Sequence, residues 1–588
     1  MRTNKQLGFV CLLGGILAAP VMAQLSGTET GITGRTYIRQ DGGADATLSS
    51  CNGHSPGTAA GGNRQQNEPT VAINPQHPNV IVSGANDYCT VPTIGDAWMG
   101  FYVSTNSGVS WVNSLNPGYP TDTSTAGRTS PIFQRDTNSG DPVMDWDNQN
   151  RLFYGGIAFN RTATNASGLV QPTNGNFIVS TWEYDASQPL GMRYLRTTIV
   201  GPGTPARYPV GGRFNDKPSL HVDDWPGSPY EGNVYATWTL FPGNAGADQI
   251  LFARSTDHGQ TFSQPMKISK AIANAQGSDV TVGPDGAVYV VWRQFATFQN
   301  GLANAIIFVK STDGGRTFTN PSVLKNIVPY DREDQYVTGG AARDCGSGAS
   351  ECVSHFAFHR VDSEPNAVVD ASGNVYVTWE ELSPVADNGD TYHPDGQSRV
   401  VISKSTNGGA SWSAAVPIDP QAAGHQWWPN LEYDKTTGAV VAIYYDSRFD
   451  PSYSPNRPPG NLADGTSACG IPGSMVCDVL NAFVATSKNG GTSWTHTRAS
   501  TMGHQPEYEM FGGRTVPFHG DYLWVDANGG FLYGVWTDNR DVVPGADPRE
   551  TPDGFDVHQC RANPTAPDTC PNAGGLNQNI FGMGAALP

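Results

Sequence analysis

Ser311-Thr312-Asp313-Gly314-Gly315-Arg316-Thr317-Phe318 is the stretch whose chemistry decides the fold. It follows a short apolar run, Ile306 to Val309, and reads as the end of a hairpin. Asp313 can accept hydrogen bonds from turn amides, a glycine supplies a backbone conformation that other residues avoid, and the aromatic residue packs the turn onto its sheet. The pattern S-x-[DN]-x-G-x-[ST]-[WF] recurs at Ser104 to Trp111, Ser255 to Phe262, Ser405 to Trp412 and Ser487 to Trp494, with Asn106, Asp257, Asn407 and Asn489 in the acceptor position. One match is weak evidence; five in one chain define a repeat architecture.

A second repeat accompanies the first. Its seven copies are Glu68 to Asn74, Asp141 to Asp147, Lys217 to Asp223, Gly277 to Gly283, Glu364 to Asp370, Trp428 to Asp434 and Gly520 to Asp526. Each leads through a short turn, such as Pro284-Asp285-Gly286, into a strand such as Ala287 to Trp292. The unit is strand, turn, strand, loop, strand, box, strand, which is a four-stranded antiparallel blade. The sequence therefore predicts an all-β chain forming a β-propeller over residues 60–562, with seven blades favoured and six as the alternative. The second unit carries a degraded box around Ser180 to Trp182. The seventh has no box; its third strand is expected at Gly554 to Cys560 and its outer strand at Thr33 to Arg39, so that segment 24–59 closes the ring and 563–588 is a C-terminal tail.

The box pattern resembles the Asp box, or BNR repeat, of the sialidase superfamily, and the resemblance covers most of the mature chain. It implies a glycoside hydrolase in the broad sense. The sialidases it resembles have six blades and use a tyrosine nucleophile with a glutamate, an aspartate acid/base and three arginines that clamp a sugar carboxylate. Where that family has Arg-Ile-Pro in its first strand, this chain reads Asn67-Glu68-Pro69, and no tyrosine or arginine here matches a family motif. Two functional classes follow: a carbohydrate-active enzyme, and a non-catalytic propeller that binds a glycan or protein at the cell surface.

Strand alternation puts the starts of the innermost strands and the long loops, 328–363 and 449–478, on one face, and the box turns on the other. On the loop-bearing face the candidate catalytic residues are Glu68, Asp141, Asp216, Glu364 and Asp521, whose crowding can hold one carboxyl protonated beside an ionised one. The same ring of carboxylates can instead bind calcium; no cofactor is required, and no metal ligand set can be read. Candidate ligand-binding residues are Lys217, Trp427, Trp428, Asp446, Arg448, Asp538 and Arg540. The two Asp–Arg pairs read equally as local salt bridges, and the two tryptophans either stack on a sugar or plug the channel.

Composition bounds the rest. Arg2 and Lys5 precede an apolar run ending near Ala23, so residues 1–23 read as a signal peptide and the mature protein as secreted or periplasmic, with no membrane insertion. Loss of Arg2 and Lys5 takes the net charge from −18 to −20, which argues against nucleic acid as a partner and favours a neutral or cationic ligand, or bound calcium, over a polyanion; the glycan or glycoconjugate partner is what the resemblance implies. Eight cysteines remain, and spacing suggests the pairs Cys345–Cys352, Cys469–Cys477 and Cys560–Cys570, leaving Cys51–Cys89; other connectivities stay open.

Overall fold

The computed structural model describes residues 24–33, 36–52, 65–94, 97–160, 175–204, 212–243, 247–296, 303–330, 361–386, 395–460, 478–504, 519–541 and 578–587. They form seven four-stranded antiparallel sheets and only short helical turns, so the chain is an all-β, seven-bladed propeller. Blades one to six each take four strands in chain order, with innermost strands Gln66–Ile73, Asn138–Trp146, Arg213–Val222, Ala275–Val282, Asn366–Val369 and Gln426–Asp434. Buried tryptophans from successive blades, among them Trp98, Trp182, Trp238, Trp292, Trp379 and Trp536, fill the spaces between sheets. No described helix is long and apolar enough to cross a membrane.

The seventh blade corrects the boundaries expected from sequence. Its strands run Trp524–Asn528, Phe531–Asp538, Asn579–Ala586 and then Gly27–Gly31 from the other end of the chain. The ring closes through Gly27↔Ala585 to Gly31↔Phe581. The propeller therefore reaches beyond 60–562 at both ends, and part of the expected tail is its third strand. The outer strand lies before Thr33 to Arg39; Tyr37 instead sits beside Asn113 of blade one. Residues 554–560 lie outside the described residues. The true third strand escaped notice because it is mostly buried on both faces, which erases the period-two pattern of a half-exposed strand.

The five box turns lie at the end of the blades opposite the innermost-strand starts, as the pairing Val288↔Ser311 requires. Asp313 accepts from the backbone N–H of Arg316 and Thr317, each at 2.9 Å, and Ser311 Oγ accepts from Gly315 N at 2.9 Å. Asn106, Asp257, Asn407 and Asn489 accept from the amide four residues on in the same way. Blade two differs from the sequence reading: Ser180 to Trp182 lies inside its third strand, Asn176–Tyr184, and the following turn is organised by Asp185, which accepts from Ser187 N.

Innermost strands present free backbone N–H groups toward the axis, and these need partners. The adjoining blade supplies them. Val222 N donates to Asp145 Oδ2 (2.7 Å), Val280 N to Ser219 Oγ (3.2 Å), Ala367 N to Asp279 Oδ2 (2.8 Å), Leu431 N to Asn366 Oδ1 (2.7 Å) and Val525 N to Asn430 Oδ1 (3.0 Å). Ile73 N donates to Asp526 across the closure. Cys51 and Cys89 form a disulfide, the pair left over in the sequence reading; Cys345, Cys352, Cys469, Cys477, Cys560 and Cys570 lie outside the described residues.

Candidate functional site

A register shift recurs near the start of the innermost strand in five blades, between Asn67 and Thr70, Gly140 and Val143, Asp216 and Ser219, Gln276 and Asp279, and Trp427 and Asn430. Each is a bulge that turns one residue toward the axis. Those residues have left-handed backbone: Glu68 (φ 55°), Asp141 (φ 53°), Lys217 (φ 47°), Gly277 (φ 58°) and Trp428 (φ 49°). For a side chain other than glycine that conformation costs about 1–3 kcal/mol, a strain that clusters at functional sites. In blade five, Glu364 stands at the equivalent place in the repeat.

The bulges bring the candidates together. Glu68, Asp141, Lys217, Glu364, Trp428 and Asp521 line one cavity of about 80 Å³ at the channel mouth, with Tyr522, Ser278 and Trp524. A neighbouring cavity of about 230 Å³ shares Glu68, Asp141 and Asp521 and adds Asp216, Asn138, Ser139, Phe159 and Phe214.

Two electrostatic centres divide the mouth. In the first, Asp141 is held well above the usual carboxylate range, mainly by burial and then by the charges of Glu68 and Asp216, to both of which its side chain hydrogen bonds. Glu68 is fixed by Asn86 Nδ2, which donates to Oε2 at 2.7 Å, and by Asp521 N, which donates to Oε1 at 3.1 Å; Asp141 N donates to Asn86 Oδ1 at 2.8 Å. In the second, Lys217 Nζ lies 2.9 Å from Glu364 Oε1, 3.0 Å from Asp521 Oδ2 and 3.8 Å from Asp362 Oδ2. Burial raises Glu364 to about 7 although Lys217 pulls the other way. One carboxyl that keeps its proton and one that titrates near neutrality thus line the same cavity, which is the pairing that acid/base chemistry uses.

Tyr522, which sequence reasoning left without a role, reaches into this cavity. Its hydroxyl donates to Pro142 O at 3.1 Å, and burial with Glu68 and Asp141 nearby pushes its ionisation well up, so it stays protonated. Tyr445 is wholly buried, bonded to the backbone of Thr537. Asn86, Asn138 and Ser139 also join the site without having been singled out. Their only sequence signal was nearness to the ends of the first two strands of a blade, which many structural residues share.

Other ligand candidates fall elsewhere. Trp427 is buried, packed against Tyr330 and Tyr445, and so belongs to the core rather than to a sugar platform. Arg448 is bound to Asp446 (Nε to Oδ1, 2.9 Å) and to Asp419, and covers Phe483. Arg540 is bound to Asp538 (2.7 Å) and to Glu29 of the closing strand (2.6 Å), over Phe581. None of these four charged candidates lines either cavity; both pairs are salt bridges that pin outer elements. Among the described lining residues Lys217 is the one cation and there is no arginine, so no guanidinium clamp stands at the mouth. No described cluster of three or more His, Cys, Asp or Glu side chains is arranged to hold a metal ion.

No family model matches the chain, and no curated protein sequence matches it. Solved structures do resemble it. A Dyadobacter fermentans protein of unknown function aligns with a TM-score of 0.40 and 11% identity, covering 97% of this chain and 100% of that one. Trypanosoma rangeli sialidase in complex with 2,3-difluorosialic acid aligns at 0.37 and 11%, covering 80% of this chain and 60% of that one. Penicillium chrysogenum α-L-arabinanase complexed with arabinobiose aligns at 0.38 and 12%, covering 65% and 88%.

Proposed function

We propose that this chain is an exported glycoside hydrolase that acts on neutral glycans at the channel mouth. The observation that carries the reading is the pairing within one cavity of Asp141, held protonated between Glu68 and Asp216, with Glu364, which ionises near pH 7 beside Lys217. Asp141 gives its proton to the leaving oxygen as the glycosidic C–O bond breaks. Water adds to the anomeric carbon, and Glu364 takes the proton that this water releases. Asp141 ends ionised and Glu364 protonated, and exchange with solvent restores both.

Neutrality of the substrate follows from charge. Lys217 is already engaged by Glu364 and Asp521, and every other charged side chain in the described lining is a carboxylate, so an anionic sugar would meet net repulsion. The test is turnover of a panel of neutral aryl glycosides, with fluorogenic sialosides for comparison, by the exported protein and by Asp141→Asn and Glu364→Gln. Turnover of neutral glycosides that both substitutions abolish, with the melting temperature retained, supports the reading. Binding without turnover makes the chain a lectin-like propeller. A melting temperature lowered by chelation makes the carboxylates a calcium site.

A further inference from the structure

We propose that the substrate is a neutral glycan of at least two sugar rings, seated across both cavities with the scissile linkage over Asp141. This rests on the hydrolase reading above and names the substrate class. The two cavities meet at Glu68, Asp141 and Asp521, so the acid stands between two spaces rather than at the blind end of one. Together they offer roughly 300 Å³, at the low end of small-ligand pockets.

Each cavity is lined by residues that carry a buried polar side-chain atom left without a partner in the protein. In the smaller one these are Ser278 Oγ and Trp428 Nε1; in the larger, Asn138 Nδ2 and Ser139 Oγ. All four residues are more than nine-tenths buried. Buried polar groups are ordinarily satisfied, and leaving one unpaired is costly. Two such groups on either side of the acid suit a ligand that brings hydroxyls to both sides. The larger cavity also has an aromatic wall, Phe159 and Phe214, with ring centroids 5.1 Å apart, suited to the apolar face of a sugar ring.

Ser139 makes the test clean, because replacing it removes a hydroxyl that bonds to nothing in the protein. The probes are p-nitrophenyl glycosides of neutral monosaccharides and neutral oligosaccharides of two to four residues, with kcat/KM measured for the full exported protein, Ser139→Ala and Phe214→Ala. The expected result is a preference for oligosaccharides, and a ratio of oligosaccharide to monosaccharide kcat/KM that falls roughly three- to tenfold in Ser139→Ala, the loss of one hydrogen bond. Phe214→Ala lowers the ratio as well. Equal kcat/KM for both probe classes, or variants that leave the ratio unmoved, overturns the two-cavity assignment while the hydrolase reading stands. Failure of every probe to bind or react removes both.

Discussion

Gly277 of blade four leaves empty the place that Glu364 of blade five occupies: a Cβ on Gly277 would stand 2.1 Å from Glu364 Cδ and 2.5 Å from its Cγ. Gly277 takes the same left-handed bulge as Glu68, Asp141, Lys217 and Trp428, but here the missing side chain is what admits a neighbour's carboxyl to the mouth. Gly520 does the same for Glu68, whose Cγ would lie 2.3 Å from an added Cβ.

Gly277→Ala is therefore expected to displace Glu364 from Lys217 and lower kcat at least tenfold. Its cost in stability is expected to be about 1–3 kcal/mol, because alanine is strained at φ 58°. Kinetics and thermal melts of the one variant check both. Wild-type kcat would show that Glu364 is not held by this contact.

Lys217 pulls the titration of Glu364 down against the larger effect of burial. The proposed reaction needs Glu364 ionised and Asp141 protonated, so kcat/KM should rise with pH through about 7 and fall only at higher pH, where Asp141 loses its proton. Lys217→Met removes the charge that favours the ionised form. The rising limb should move upward by about 1 to 3 pH units. A pH–rate profile that keeps its limb near 7 in this variant would assign that limb to another group.

Buried carboxyls give the fold a matching pH dependence. Glu364 and Asp136 are raised to about 7, and Asp223, Asp279 and Asp526 to about 6, in each case first by burial, from ordinary values of 3.8 or 4.5. A carboxyl raised in the folded state contributes stability that is complete below its unfolded value and lost as pH rises through its folded value. Asp538 and Asp313 are shifted down, and their contributions do not change above about pH 5. Melting temperature should then fall steadily between pH 5 and pH 8, which differential scanning fluorimetry reads directly.

Box turns and salt bridges should affect folding without touching chemistry. Asp313→Ala removes the acceptor for two turn amides and should lower stability by about 0.5–2 kcal/mol with turnover unchanged. Arg540→Ala leaves Asp538 buried without its guanidinium and frees Glu29 on the closing strand, so a loss of about 3 kcal/mol is expected. Urea titration measures both, and a selective loss of turnover in either would place that residue in the site.

The sequence by itself determined the blade. The information for a blade is local: an acceptor and a glycine within a few residues make the box turn, and alternation over a strand makes its partner. Seven copies of one repeat then set the ring, and the direction of the strands sorted short turns from long loops. The residues before the prolines, Glu68, Asp141, Lys217, Glu364 and Trp428, stood out because the repeat aligns them.

Only the tertiary structure decided which of the candidates meet. Lys217 and Asp521 are 304 positions apart and touch because the ring closes between them. That closure depends on Gly27–Gly31, a short and partly exposed strand, and on Asn579–Ala586, which is mostly buried on both faces, so neither carries a readable period. The same holds for Asp446 with Arg448 and Asp538 with Arg540, where a spacing of two residues is compatible with either a ligand clamp or a salt bridge. Their assignment came from Asp419, Phe483, Glu29 and Phe581, partners that lie near them only once the blades are packed.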